Sequence, residues 1–270
     1  MGFFSWLFRK NKPKKLKLGL ALGSGGAKGF AHLGAIKAFE ENGLEFSVIA
    51  GTSIGSIVGA FLAEGYSSTD IYELLKHMDL GDIKNLFMMS MDNSSVFKIL
   101  DREIGSKNIE QLKKPFSAVA TVLDTGEEHD FYTGSVAKAL CASSCIPPVF
   151  KPVTIDGVKY IDGAYTNSVP ADLVKNMGAD YIIGIDLSTH EPKTGLLKKI
   201  FPSYKSSVKE PWEKGYKFSD VMLRPDLKNY TAYSITHGAE MYDIGYNTAM
   251  ENMSEILSQI NSLTYRKKRK

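Results

Sequence analysis

Ser53 stands in Gly51-Thr52-Ser53-Ile54-Gly55, between a short apolar run, Phe46 to Ala50, and a second run, Ser56 to Glu64, whose spacing is helical and which stops at Gly65. A strand that turns sharply into a helix through G-x-S-x-G exposes its serine at the helix N-terminus, where amides and the helix dipole favour a developing anion. Gly51 and Gly55 let the backbone pass close to its neighbours without a Cβ clash. That arrangement suits nucleophilic acyl chemistry. The competing reading is a serine that only caps the helix, followed by packing glycines.

Gly23-Ser24-Gly25-Gly26-Ala27-Lys28-Gly29 is the second motif, and it ends 24 residues before Ser53. A glycine-rich turn leaves backbone N–H groups free to face an anion. A P-loop needs Gly-Lys-Ser/Thr, and here the order is Ala27-Lys28-Gly29. A dinucleotide fingerprint begun at Gly23 needs glycine where Lys28 stands. An oxyanion loop remains, with the amides of Gly25, Gly26 and Ala27 as expected donors; Lys28 either orders the loop or is solvated. No cluster with metal-ligand spacing occurs, so neither metal nor cofactor is expected.

A serine nucleophile needs a base. Asp156-Gly157 lies inside Val153 to Ile161, where hairpin-turn chemistry explains it. Asp162 ends the second arm of that hairpin, and Asp186 ends the apolar run Asp180 to Leu187. Among His32, His77, His129, His190 and His237, the last two would complete a Ser-Asp-His order, while His32 reads as a packing or capping residue. Against a triad fold, the glycine-rich loop here follows the first strand and the nucleophile arrives after only two strands.

The elements that must position these groups alternate. Lys17 to Leu22 reads as a buried strand, Ala31 to Asn42 as a helix closed by Gly43, and Ser67 to Asp70 as the start of another helix. Residues 80 to 112 read as helical, a cover over the site. Phe116 to Leu123 reads as a strand, Ser135 to Ser144 as a small-residue helix ended by Pro147-Pro148, residues 219 to 223 as a last strand and Ile235 to Leu263 as a long terminal helix. Residues 188 to 217 lack periodicity and hold four helix-breaking residues, Pro192, Gly195, Pro202 and Pro211, which suggests a flap. Strands alternating with helices predict a three-layer α/β/α sandwich with a mostly parallel central sheet.

The two glycine motifs and Asp162-Gly163-Ala164, in this order, resemble the patatin-like phospholipase family. Its pattern is an oxyanion loop G-G-G-x-R/K-G, an elbow G-x-S-x-G and a later D-G-G/A. This chain departs at Ser24, whose amide can still donate, and carries Lys28 where arginine is commoner. Ala142 to Phe150 also looks like the stretch upstream of the family's aspartate, and the resemblance spans residues 17 to 190. It implies a Ser53-Asp162 dyad, an acyl-enzyme, and phospholipid or lysophospholipid esters as substrates. Transfer of the acyl group to an alcohol is the alternative at the same site. A catalytically silent lipid-binding regulator is the alternative from another class, against which the intact motifs argue.

Composition agrees with a folded, reducing-compartment protein. Of the 270 residues, 43% are hydrophobic and 23% charged, and Cys141 and Cys145 read as small core residues. The net charge of +3 conceals two basic tails: six basic residues between Arg9 and Lys17, and five between Arg266 and Lys270. Without these 11, there remain 22 basic against 30 acidic residues. Excess confined to tails argues against nucleic acid. Residues 1–16 place Phe3, Phe4, Trp6, Leu7 and Phe8 before the lysines, which fits either an interfacial contact with anionic membrane or a solubilising tail. That apolar stretch is too short and wrongly flanked for a signal peptide, and Trp6 interrupts a myristoylation motif. The expected division is therefore tail 1–16, catalytic domain 17–263 and tail 264–270, with a cytoplasmic location, peripheral on the inner membrane face. Oligomeric state has no sequence signal.

Overall fold

A computed structural model describes residues 16–77, 93–190 and 194–268. The strands are β1 (Leu18–Leu22), β2 (Phe46–Thr52), β3 (Phe116–Val122), β4 (Glu128–Phe131), β5 (Val153–Ile155), β6 (Val158–Asp162), β7 (Tyr181–Ile185) and β8 (Val221–Leu223). The helices are α1 (Phe30–Glu41), α2 (Ile54–Glu64), α3 (Ser68–His77), α4 (Asn93–Ile104), α5 (Val136–Ser143), α6 (Ala171–Asn176), α7 (Thr194–Ile200), α8 (Glu213–Phe218) and α9 (Gly238–Lys268).

Alternation along β1 decides which helices cover which face. Leu18, Leu20 and Leu22 point into the larger core, shared with Leu33 and Ile36 of α1, Ile57 and Phe61 of α2, and Met253 and Ile256 of α9. Gly19 and Ala21 point the other way. There α6 lies so close that a Cβ on Gly19 would stand 2.1 Å from Val174 Cγ1. Val48, Ala50 and Ile182 complete that smaller core with Leu173 and Val174, and Phe218 of α8 packs against it. Helices on both faces of a mainly parallel sheet give the three-layer α/β/α sandwich that the strand and helix alternation implies.

The sheet runs β5-β6-β3-β2-β1-β7-β8, with β4 also paired to β3. Pairing is parallel from β3 through β2, β1 and β7 to β8. It turns antiparallel where β3 meets β4 and β6, and within the β5–β6 hairpin. β3 pairs with β2 over Phe116–Val119 and with β6 over Ala120–Val122. β4 overlaps both stretches, at Ala118–Thr121, so it must hold the opposite edge. β2 and β6 therefore share one edge of β3 and arrive from opposite directions, end to end.

Three segments differ from expectation. β4 reads Glu-His-Asp-Phe, which has no apolar alternation to announce a strand. α6 has only six residues, too few for a helical period. The 188–217 segment contains α7 and α8 and is anchored by Leu197 and Tyr204, packed with Leu123, Ile161 and Tyr165. Of the expected cover at 80–112, residues 80–92 lie outside the described residues, as does the N-terminal tail through residue 15. The terminal helix runs on through Lys268, and Lys267 Nζ lies 2.5 Å from Asp180 Oδ1, so much of the C-terminal basic cluster belongs to α9.

Candidate active site

Thr52 pairs with Val119, and Asp162 with the next residue, Ala120. The last residue of β2 and the last of β6 thus occupy consecutive positions on one edge of β3, which brings Ser53 and Asp162 to one place. Gly163 is the joint: a Cβ there would stand 2.3 Å from Val119 O and 3.0 Å from Thr52 Cγ2. Ser53 has φ 56 and ψ −126, a conformation that a residue with a Cβ takes only under constraint. Its side chain makes no capping bond to α2, so the helix-cap reading finds no support. Instead Ser56 Oγ donates to Ser53 O at 2.6 Å, and the Ser53 N–H donates to Ser143 Oγ at 2.9 Å.

The elbow glycines are in contact. A Cβ on Gly51 would meet Gly55 O at 2.2 Å, and a Cβ on Gly55 would meet Leu22 O at 2.2 Å. Their absence lets α2 begin directly against the end of β1, where the glycine-rich turn starts. Gly29 closes the arrangement, because a Cβ there would stand 2.2 Å from Ile54 Cγ1. The turn itself, a 3-10 helix over Gly26–Gly29, leads straight into α1.

Its amides are not equivalent. The Gly23 and Ser24 N–H groups donate to Ile185 O and Ser168 O, and that of Lys28 to Gly25 O. Ala27, an expected oxyanion donor, gives its N–H to Ala232 O at 2.8 Å, in a segment with no recognisable signal. The Gly25 and Gly26 amides have no backbone acceptor among the described residues. Lys28 is buried rather than solvated, and Ser24 takes no positive φ. His32 holds the turn from behind: its Nε2 lies 2.8 Å from Gly23 O, and burial pushes the imidazole down to about 4 despite that bond and the nearby Asp186. At neutral pH the ring is uncharged and Nε2–H is the donor.

Asp162 is fully buried. Its Oδ1 accepts the Ala164 N–H at 2.7 Å, its own N–H donates to Cys145 O, and its carbonyl takes the Thr121 hydroxyl. The rival groups are joined to each other: His190 Nε2 lies 2.5 Å from Asp186 Oδ2, which also accepts Tyr216 OH at 3.0 Å. His190 stacks on Trp212 with ring centroids 4.6 Å apart. His237 is exposed and contacts Thr236 and Tyr230, and His129 packs on Phe131 and Tyr160. Cys141 and Cys145 are buried thiols held in the protonated form, Cys141 pushed up to about 12 by burial. Among the described residues no group of three or more His, Cys, Asp or Glu is placed to hold a metal, and no helix is long and apolar enough to cross a membrane.

Ser143 and Asn167 carried no assignment in the sequence. Asn167 braces the elbow, accepting the Thr52 hydroxyl at 2.7 Å through its carbonyl, while its Nδ2 donates to Glu128 and Asp172. Lys214 pairs with both carboxylates. Beside them, burial and then the Glu128 charge push the Asp130 carboxyl up to about 7. The folded state therefore binds this proton more tightly than the unfolded chain, whose ordinary value is 3.8. That contribution to stability is complete below pH 4 and lost as pH rises through 7. Asp130→Asn should raise the urea midpoint at pH 8 and change it little at pH 4; equal shifts at both would refute the assignment.

The model of the family described as patatin-like phospholipase matches residues 20–175, more than half of the chain. This chain belongs to the patatin-like phospholipase family. An uncharacterized NTE family protein of Mycobacterium tuberculosis is 36% identical over 181 residues, covering 65% of this chain and 50% of that protein. Human patatin-like phospholipase domain-containing protein 6 is 31% identical over 64% of this chain and 14% of its own length. The chain thus spans half or less of these relatives. Among solved structures, VipD of Legionella pneumophila superposes with TM-score 0.54 at 16% identity, covering 89% of this chain and 67% of that one. Human GIVD cytosolic phospholipase A2 gives 0.51 at 10% identity, over 93% and 60%. At such identity these two establish the fold alone.

Proposed function

We propose that the chain hydrolyses fatty-acyl esters of phospholipids or lysophospholipids with Ser53 as nucleophile and Asp162 as base. The observation that carries this reading is the end-to-end meeting of β2 and β6 on one edge of β3, with Ser53 held at φ 56. Asp162 takes the hydroxyl proton as Ser53 Oγ attacks the ester carbonyl. The amides of Gly25 and Gly26 stabilise the oxyanion, and Ala27 joins them when Ala232 O releases its N–H. Collapse of the tetrahedral intermediate expels the alcohol, which takes the proton from Asp162. Water then repeats the sequence on the acyl-enzyme. A carboxylate is a weak base for an alcohol, so the oxyanion donors matter: losing one costs typically about 10²–10³ in rate.

The fungal relative named lysophospholipase NTE1 (Meyerozyma guilliermondii), 27% identical over 87% of this chain and 19% of its own length, supports a lysophospholipid substrate. A narrow cleft lined by Ile54, the residue after Ser53, and by Ile57, Phe61, Ile71 and Leu74 offers an apolar surface for an acyl chain. At about 20 Å³ it must widen to admit one.

A fluorescent fluorophosphonate probe tests the reading. Labelling is expected for wild type and for the double variant His190→Ala/His237→Ala, and none for Ser53→Ala. Labelling that survives in Ser53→Ala would move the nucleophile elsewhere, and labelling lost with the histidines would indicate a triad.

A further inference from the structure

A cavity of about 490 Å³ opens beside the catalytic turn. One end is formed by Ser24, which begins the oxyanion loop, and by Ala164, two residues past Asp162. Most of the other lining residues fall within 188–190 and 198–212 and include three lysines, Lys198, Lys205 and Lys209. Among the described residues no carboxylate lines the cavity. None of the three ammonium groups is in an ion pair among the described residues, and the nearby Asp186 is engaged by His190, Tyr216 and the Ser188 N–H. Three lining hydroxyls, those of Ser168, Ser188 and Tyr204, have unused hydrogen-bonding capacity among the described residues. Ser168 is 5% exposed, and its Oγ, like that of Ser188, has no partner among the described residues. Buried hydroxyls of this kind are unfavourable unless something completes them.

Three cations, three unsatisfied hydroxyls and, among the described residues, no acid describe a site for phosphate oxygens. We propose that this cavity is the headgroup subsite and that it selects lipids whose headgroup is net anionic at phosphate. The inference rests on the acyl hydrolase reading, because an ester held at Ser53 by the oxyanion loop directs its alcohol portion along Ser24 and Ala164. A choline or ethanolamine headgroup would set its cation among the lysines, with no carboxylate among the described lining residues to receive it. Trp212, the aromatic wall that could otherwise hold a quaternary ammonium, has one face covered by the parallel ring of His190. A lipid headgroup, rather than free phosphate, is favoured because Ser24 of the glycine-rich turn and Ala164, whose N–H meets Asp162, both line the cavity.

The test uses the full chain and dihexanoyl phospholipids kept below micelle formation, so attraction to a charged surface plays no part. Wild type is expected to hydrolyse dihexanoyl phosphatidylglycerol about tenfold or more faster, in kcat/KM, than dihexanoyl phosphatidylcholine, as one to two charge-assisted contacts allow. In Lys198→Met/Lys205→Met/Lys209→Met that ratio should fall to within about twofold of unity, at a melting temperature near that of wild type, as expected for exposed substitutions. The corresponding triple arginine variant should keep the preference, which separates lost charge from damaged structure. Equal rates on the two lipids in wild type, with fluorophosphonate labelling intact, would overturn the headgroup assignment and leave the hydrolase standing. Inhibition of p-nitrophenyl butyrate hydrolysis by inorganic phosphate without any lipid preference would make this a free-anion site and overturn it equally. Absence of both labelling and hydrolysis in wild type would remove the catalytic reading and this one with it.

Discussion

Asp162→Asn should lower kcat/KM for any acyl ester by about 10³–10⁴ and slow fluorophosphonate labelling of Ser53 alongside it, near the upper range for loss of a general base. In barrier terms that is about 4–5.5 kcal/mol at 1.36 kcal/mol per tenfold. Asparagine matches aspartate in shape, and its carbonyl oxygen can still accept the Ala164 N–H that now reaches Oδ1 at 2.7 Å. The backbone bonds from Asp162 N–H to Cys145 and from Thr121 to the Asp162 carbonyl do not depend on the charge. The variant should therefore fold, and its defect should lie in kcat with KM nearly unchanged. Asp186→Asn is the matched comparison, since it removes a buried carboxylate of the same sheet that serves His190 and Tyr216. A larger kinetic loss in Asp186→Asn than in Asp162→Asn would transfer the role of base to the Asp186-His190 pair.

What made the two glycine motifs legible is that each is contiguous in sequence. Gly23 to Gly29 and Gly51 to Gly55 are strand-to-helix turns of seven and five residues, so their glycines appear as a written pattern, even though Gly29 and Gly55 owe their lack of a side chain to Ile54 and Leu22. The same holds for the Asp156-Gly157 hairpin, where both residues take positive φ. Asp162 could be chosen over Asp186 only with the help of the family pattern, because its place beside Ser53 depends on β6 and β2 sharing one edge of β3. Nothing in the composition of either strand encodes that shared edge. Ser143 and Ala232 stayed silent for the same reason. One serves Ser53 across 90 residues, and the other meets Ala27 only because the chain before α9 returns to the glycine-rich turn. The 188–217 segment misled in a different way. Its helices have seven and six residues and carry few apolar anchors, so absent periodicity looked like a loop, whereas Leu197 and Tyr204 bind it to the body as the wall of the basic cavity.

Gly55→Ala should damage both the fold and the elbow. The new Cβ would stand 2.2 Å from Leu22 O, 2.6 Å from Leu22 C and 2.7 Å from Gly23 O, all of them backbone atoms at the end of the central strand β1. No flexible side chain lies there to turn aside, so α2 must retreat from β1. All 11 residues of α2 are buried, and retreat loosens packing along its length. Overpacking of this kind costs about 1–3 kcal/mol, and more where only backbone can give, so a loss of about 3 kcal/mol or more is expected in urea unfolding. Retreat also carries Ser53 away from the Gly25 and Gly26 amides, so the fraction that remains folded should label with fluorophosphonate about 10²-fold more slowly, the scale of one lost oxyanion donor. Gly195→Ala supplies the contrast. It sits in the first turn of α7 at an exposed position, and its Cβ would meet nothing within 4 Å. Removing a glycine from a helix should stabilise by about 0.5–1 kcal/mol and leave labelling unchanged. If Gly55→Ala instead matched wild type in both midpoint and labelling rate, the close seating of α2 on β1 could not be what positions Ser53 beside the glycine-rich turn.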